Sequence, residues 1–112
     1  MVRVGVDLVE VRRLQSLGER RGERALQRLF TSRELDHAFS ARPPLCWQRL
    51  AARFAAKEAF IKALGRPVPL RELEVTFRGP KPYLTWQGRD YPLSLSHTRE
   101  LAMAVVVIPD AD

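Results

Sequence analysis

Cysteine is almost missing from this chain: Cys46 is the only one in 112 residues. No disulfide can close within one chain, and no thiolate cluster can hold zinc. Cys46, beside Trp47, reads as a small buried hydrophobe. Histidine is scarce too, with His37 and His97 alone. No apolar run approaches the ~20 residues of a membrane span, and Leu101 to Ile108 has only the length of a strand. A secretory pattern is lacking, because Met1-Val2-Arg3-Val4 leads directly to Asp7 and Glu10. These lacks predict a cytoplasmic location and no membrane partner. The six glycines form neither a dinucleotide fingerprint nor a phosphate loop. No zinc finger or series of interleaved aromatics accompanies the basic charge, so nucleic acid is not the expected partner.

What is abundant is arginine, at 16 of the 19 basic residues, and the formal net charge is +6. Residues 1–66 hold 14 Lys and Arg against 7 Asp and Glu, whereas residues 67–112 hold 5 against 6. Seven arginines but only two glutamates lie between Arg12 and Arg33. Such a field attracts an acidic protein or a phosphorylated small molecule, and guanidinium suits bidentate contact with phosphate or carboxylate.

Val2, Val4, Val6 and Leu8 alternate with Arg3, Gly5, Asp7 and Val9, which predicts a strand with one apolar face. Val11, Leu14 and Leu17 follow at helical spacing, with a break expected between Gly18 and Gly22. Thr31-Ser32-Arg33-Glu34 is a capping-box pattern for a short helix that Pro43-Pro44 must end. A long helix is predicted from about Trp47 to Leu64, before Gly65 and Pro67. Four strands follow: Leu73 to Phe77, Tyr83 to Trp86, Tyr91 to Ser96 and Leu101 to Ile108. Strand, helices and then an antiparallel meander make the class α+β. A length of 112 residues fits a single domain.

The long helix carries the most informative side chains. At 100° per residue, Arg53, Lys57, Glu58 and Lys62 fall at about 0°, 40°, 140° and 180°. Glu58 and Lys62 are therefore neighbours, with small Ala51 and Ala55 beside them. Asp7 interrupts an apolar strand, so it must meet solvent, a donor or a metal, or cap the following helix. If the first strand packs beside the long helix, Asp7 and Glu58 can meet. Two carboxylates completed by phosphates and water suit magnesium. His97 shares a strand face with Leu93 and Leu95 at the mouth of a turn, fit for a base or a phosphate contact. His37 falls in the short helix with no partner signalled.

Three segments together carry a resemblance. They are Gly5-Val6-Asp7-Leu8-Val9-Glu10-Val11, the run from Arg53-Phe54-Ala55-Ala56-Lys57-Glu58 through Lys62 to Gly65, and Ser94-Leu95-Ser96-His97-Thr98. The sequence resembles the holo-acyl-carrier-protein synthase family of phosphopantetheinyl transferases, from Val4 to Ile108. The resemblance implies transfer of 4′-phosphopantetheine from coenzyme A to a serine of an apo-acyl-carrier protein, leaving adenosine 3′,5′-bisphosphate. It implies magnesium on Asp7 and Glu58, with both residues and Lys62 catalytic. It implies coenzyme A contacts from Lys62, His97, Arg53 and Ser96. Arg12 matches an arginine that grips the carrier, and charge adds Arg13 and Arg20 to that surface. A serine hydroxyl needs a base; water is favoured over Glu58, whose basicity a metal would consume.

The larger, two-lobed branch of the family places a second acid two residues after the first. That position is Val9 here, which favours the small branch and implies a homotrimer with sites shared between subunits. A role in fatty acid and lipid biosynthesis follows from the same resemblance. The chain departs from the family at Gly65-Arg66-Pro67 and at Gly79-Pro80-Lys81-Pro82. It also has only Gln87 to Leu93 where the family usually has a helix. Those departures make a catalytically weak paralogue the alternative expectation.

Overall fold

The computed structural model describes residues 1–109. The elements run β1 (Arg3–Glu10), α1 (Val11–Gln27), α2 (Ser32–Phe39), α3 (Leu45–Leu64), a 3-10 turn (Leu70–Glu72), β2 (Glu74–Arg78), β3 (Lys81–Trp86), β4 (Arg89–His97) and β5 (Leu101–Ile108). The strands form one antiparallel sheet in the order β1-β5-β4-β3-β2. The α+β expectation holds, as does every predicted element. No helix among the described residues is long and apolar enough to cross a membrane.

Helix α3 is the axis of the core. Leu50, Ala51, Ala55, Ala56, Ala59 and Phe60 are each inaccessible to solvent. Alanines keep the helix thin, so the sheet packs against one side and α1 and α2 against others. The helix ends where Gly65 takes the left-handed conformation (φ 82°), and its N–H closes on the Ile61 carbonyl at 2.9 Å. Helix α2 begins with the expected capping box: Glu34 N–H donates to Thr31 Oγ1, and Thr31 N–H to Glu34 Oε1. In α1 the expected break is at Gly22, whose φ of 76° and ψ of −167° interrupt the helix. Gly18 serves a different purpose, since a Cβ there would lie 2.6 Å from the Trp47 ring.

The apolar face of β1 requires a correction. Val4, Val6 and Leu8 point away from the core and are 61%, 51% and 61% exposed. The reason is Gly5, where a Cβ would stand 1.8 Å from the Ala59 carbonyl oxygen. Strand and helix touch backbone to backbone at that point. The face of β1 that turns to α3 is therefore the one with Gly5, Asp7 and Val9.

The expected shortage of chain between β3 and β4 is also real. Gln87 and Gly88, with φ of 50° and 75°, join the two strands directly, and no helix intervenes.

Candidate active site

The close crossing at Gly5 brings Asp7 to the side of α3 that carries Glu58 and Lys62. Lys62 Nζ donates to Asp7 Oδ1 at 2.9 Å and to the Val6 carbonyl at 3.1 Å. The Asp7 side chain is 15% exposed and that of Lys62 is 56% exposed. Glu58 lies one turn before Lys62 on the same face and is half-buried. Asp7 does not cap α1: Glu10 holds the cap position, without a side-chain hydrogen bond.

The donors here are carboxylate oxygens, and no group of three or more His, Cys, Asp or Glu converges among the described residues. Hard oxygens in so small a number fit magnesium, which takes the rest of its shell from substrate phosphates and water. They do not suit a softer ion that demands an all-protein cage.

A second cluster sits elsewhere. His37, Arg49, Arg53, Phe77, Lys81 and His97 line a cavity of about 570 Å³ between α2, α3 and the sheet. Arg53 is buried, and its guanidinium is held by neutral groups. Nη1 donates to the Arg49 carbonyl at 3.2 Å, Nη2 to His37 Nδ1 at 2.6 Å, and the guanidinium carbon stands 5.3 Å from the Phe77 ring centre. Nε has no partner. Burial pulls the Arg53 pKa downward, Glu34 opposes that shift, and Arg49 adds to it. The cluster is thus a positively charged concavity suited to an anion.

The structure brings Arg53 and His97 to this cavity but not Ser96. Along β4, Leu93 and Leu95 face the core, whereas Ser96 pairs with Met103 on the outer face. His37, Arg49, Phe77 and Lys81 were not identified from sequence. They converge from four elements, α2, α3, β2 and β3, and no local spacing announces them. The Arg53 cavity and the Asp7 site also occupy opposite sides of α3, as the helical angles require.

Arg12, Arg13, Arg20 and Arg21 line a third feature, an open groove of about 810 Å³ floored by Leu14, Leu17, Leu29 and Phe54. Arg13 stacks on Phe54 at 5.3 Å. The glutamates of α1 accept from glutamines: Gln15 Nε2 donates to Glu19 at 3.2 Å and Gln27 Nε2 to Glu23 at 3.5 Å.

With this geometry in place, known proteins supply the family. The profile of the 4′-phosphopantetheinyl transferase superfamily matches residues 3–106. The chain belongs to that superfamily. Among curated relatives, the holo-[acyl-carrier-protein] synthase of Carboxydothermus hydrogenoformans is 41% identical, over 93% of this chain and 94% of its own. That of Deinococcus radiodurans is 42% identical, over 96% and 92%. Among crystal structures, a Bacillus anthracis holo-(acyl-carrier-protein) synthase in complex with CoA (3′,5′-ADP) superimposes with a TM-score of 0.82. It is 30% identical and is covered over 93% of its chain, with 94% of this one. The synthase from Neisseria meningitidis gives a TM-score of 0.83 at 28% identity, with coverage of 98% and 100%. The phosphopantetheinyl transferase fold therefore survives the direct β3–β4 turn.

Proposed function

We propose that this protein is a holo-acyl-carrier-protein synthase. It moves 4′-phosphopantetheine from coenzyme A to a serine of an apo-acyl-carrier protein and releases adenosine 3′,5′-bisphosphate. The observation that carries this reading is the Asp7–Lys62 contact beside α3, with Glu58 one helical turn before Lys62, in a chain of this superfamily. Residues 1–112 act as one domain.

Asp7 and Glu58 hold magnesium in this reading. When bound, the ion supplies positive charge beside the pyrophosphate and acts as a Lewis acid toward a phosphoryl oxygen. Lys62 holds its ammonium at the mouth of the same site. Two of its three N–H groups are spent on Val6 and Asp7, and the third is free to reach a pyrophosphate oxygen. The carrier serine attacks the β-phosphorus in line, and negative charge grows on the departing phosphate. Lys62 stabilises that charge. The serine proton passes to water, because Glu58 is committed to the metal. Arg53 and His97 receive the remaining phosphate of coenzyme A, the monoester at the 3′ position.

One copy of the chain does not present both phosphate sites to one coenzyme A, because α3 stands between them. A homotrimer resolves this by setting the Arg53 cavity of one subunit against the Asp7 site of another. The outward face of β1 and β5 supplies the contact. Val4, Val6 and Leu8 continue there into Met103, which is 41% exposed, forming a flat apolar patch. Arg12, Arg13 and Arg20 grip the acidic carrier, whose apolar residues rest on Leu17 and Phe54. The reaction is a cytoplasmic step of fatty acid biosynthesis.

The test incubates purified protein with coenzyme A, magnesium and apo-carrier, and weighs the carrier by mass spectrometry. A gain of one phosphopantetheine supports the transferase. No gain, with coenzyme A still bound, indicates the weak paralogue. Sedimentation should return three times the 12.8 kDa chain mass, and an active monomer refutes the shared site.

A further inference from the structure

Among the described residues, His37 is the titratable side chain that hydrogen-bonds to the Arg53 guanidinium. Arginine only donates hydrogen bonds, so the His37 Nδ1 that lies 2.6 Å from Nη2 must be the unprotonated acceptor. The ring is therefore the neutral tautomer with its proton on Nε2. Its own backbone is anchored, since Arg49 Nη1 donates to the His37 carbonyl at 2.9 Å. The ring also lies 5.8 Å from Phe77, the aromatic that supports Arg53. His37 and Phe77 thus grip the guanidinium from two directions without neutralising it. A carboxylate in the place of His37 would hold Arg53 equally well but cancel the charge that an anion needs.

We propose that His37 is a positioning residue: as a neutral acceptor it aims the charged Arg53 guanidinium into the cavity shared with His97, and so sets the preference for a ligand bearing a phosphate monoester. This rests on the coenzyme A reading above. Among coenzyme A derivatives, the group it discriminates is the 3′-phosphate, which dephospho-coenzyme A lacks.

The surroundings favour the neutral ring. Arg49 and Arg53 face it from α3, and Lys81 and His97 share its cavity from the sheet. On the other side stand Arg33, Glu34 and Glu74. Glu34 is committed to Lys57 and to two backbone N–H groups, and Glu74 accepts from Thr31. Burial first, and then Arg53 and Arg49, hold the His37 pKa below its ordinary 6.5. Protonation removes the acceptor and sets two cations side by side. The grip is therefore present at neutral pH and lost as pH falls through the lowered value.

The experiment measures binding of coenzyme A and dephospho-coenzyme A by calorimetry, and KM and kcat for each, in the full-length protein. His37→Leu removes the acceptor, and His37→Asn restores an acceptor oxygen near the same place. The expected result for His37→Leu is a roughly tenfold smaller preference for coenzyme A, consistent with loss of one charge-assisted hydrogen bond. The change should lie in KM and Kd more than in kcat. His37→Asn should regain most of the preference and keep it at acid pH, where the wild type loses it; the titration of the phosphate itself is common to both. Undiminished preference in His37→Leu overturns the inference, as does an equal loss for both ligands. A wild type that binds neither ligand overturns the transferase reading along with it.

Discussion

Two lysines on α3, five residues apart, each meet a carboxylate, and the two pairs serve opposite ends. Lys57 Nζ lies 2.6 Å from Glu34 Oε1, with both side chains fully buried. It also donates to the Leu29 carbonyl at 2.7 Å and sits over the Phe30 ring. Glu34 in turn accepts from Thr31 N–H and Val75 N–H. One ion pair thereby ties α3 to the α1–α2 turn and to β2. Burial pushes the Lys57 pKa down and Glu34 pushes it back. Lys62 and Asp7 are a little farther apart, and the lysine is mostly in solvent. In high dielectric such a contact is worth ~1 kcal/mol or less. It can be exchanged for other partners at little cost, and exchange is what a substrate site needs. Solvent access, more than distance, separates the fastening from the working part.

The sharpest way to break this contrast is at the exposed pair. Asp7→Ala and Glu58→Ala should each lower transfer by at least ~100-fold, the scale of losing one preorganised electrostatic group, and leave thermal unfolding nearly unchanged. Activity measured across magnesium concentrations checks this, and near-normal turnover at low magnesium rules out the assignment. Lys62→Met belongs to the same class: stability should move by under ~1 kcal/mol while turnover collapses.

At the buried pair the pattern should invert. Lys57→Met strands the Glu34 carboxylate in the core and should cost ~3–5 kcal/mol, read as a fall in the urea midpoint. Lys57→Met combined with Glu34→Gln should recover much of that loss, because no unpaired carboxylate is left buried. A double variant no better than the single one would show that the partners of Glu34 matter more than its charge.

The smallest effect is expected where charge acts at a distance. Arg12→Glu should raise KM for the carrier several-fold, with little change for coenzyme A. Added salt should shrink the difference, because surface charges are screened over ~8–10 Å at these ionic strengths. Unchanged carrier kinetics over a range of salt would remove Arg12 from the docking surface.

Much of this was legible in the linear chain. Period-3.6 and period-2 patterns mark α1, β1 and β2, an alanine-rich run free of glycine and proline marks α3, and Thr31 with Glu34 marks a helix start that is present to the hydrogen bond. Asp7 and Glu58 stand out because a carboxylate in an apolar strand needs a reason. Three features resisted. The orientation of β1 depends on Gly5 meeting the Ala59 carbonyl, a contact 54 positions apart in sequence. The partner of Lys57 lies 23 residues away, so a helical wheel shows the lysine but not its carboxylate. His37 had no visible partner because Arg53 belongs to another helix, 16 residues on. Local pattern reports which residues share a face, whereas tertiary packing decides what the face meets.

The sheet order also sets a timetable. Among the described residues β1 is an edge strand laddered to β5, in a register that sets Arg3 against Ile108 and Asp7 against Ala104. The strand that bears Asp7 and its hydrogen-bonding partner are far apart in the chain, since Asp7 pairs with Ala104. Until β5 is in place, β1 can pack on α3 but has no ladder to fix its register. So long a loop closure is slow relative to local helix formation. Helix α3, with Glu58 and Lys62 on one side, can therefore form before Asp7 is fixed beside them. A chain that has formed α3 but not the β1–β5 ladder thus holds Glu58 and Lys62 with Asp7 not yet fixed in register.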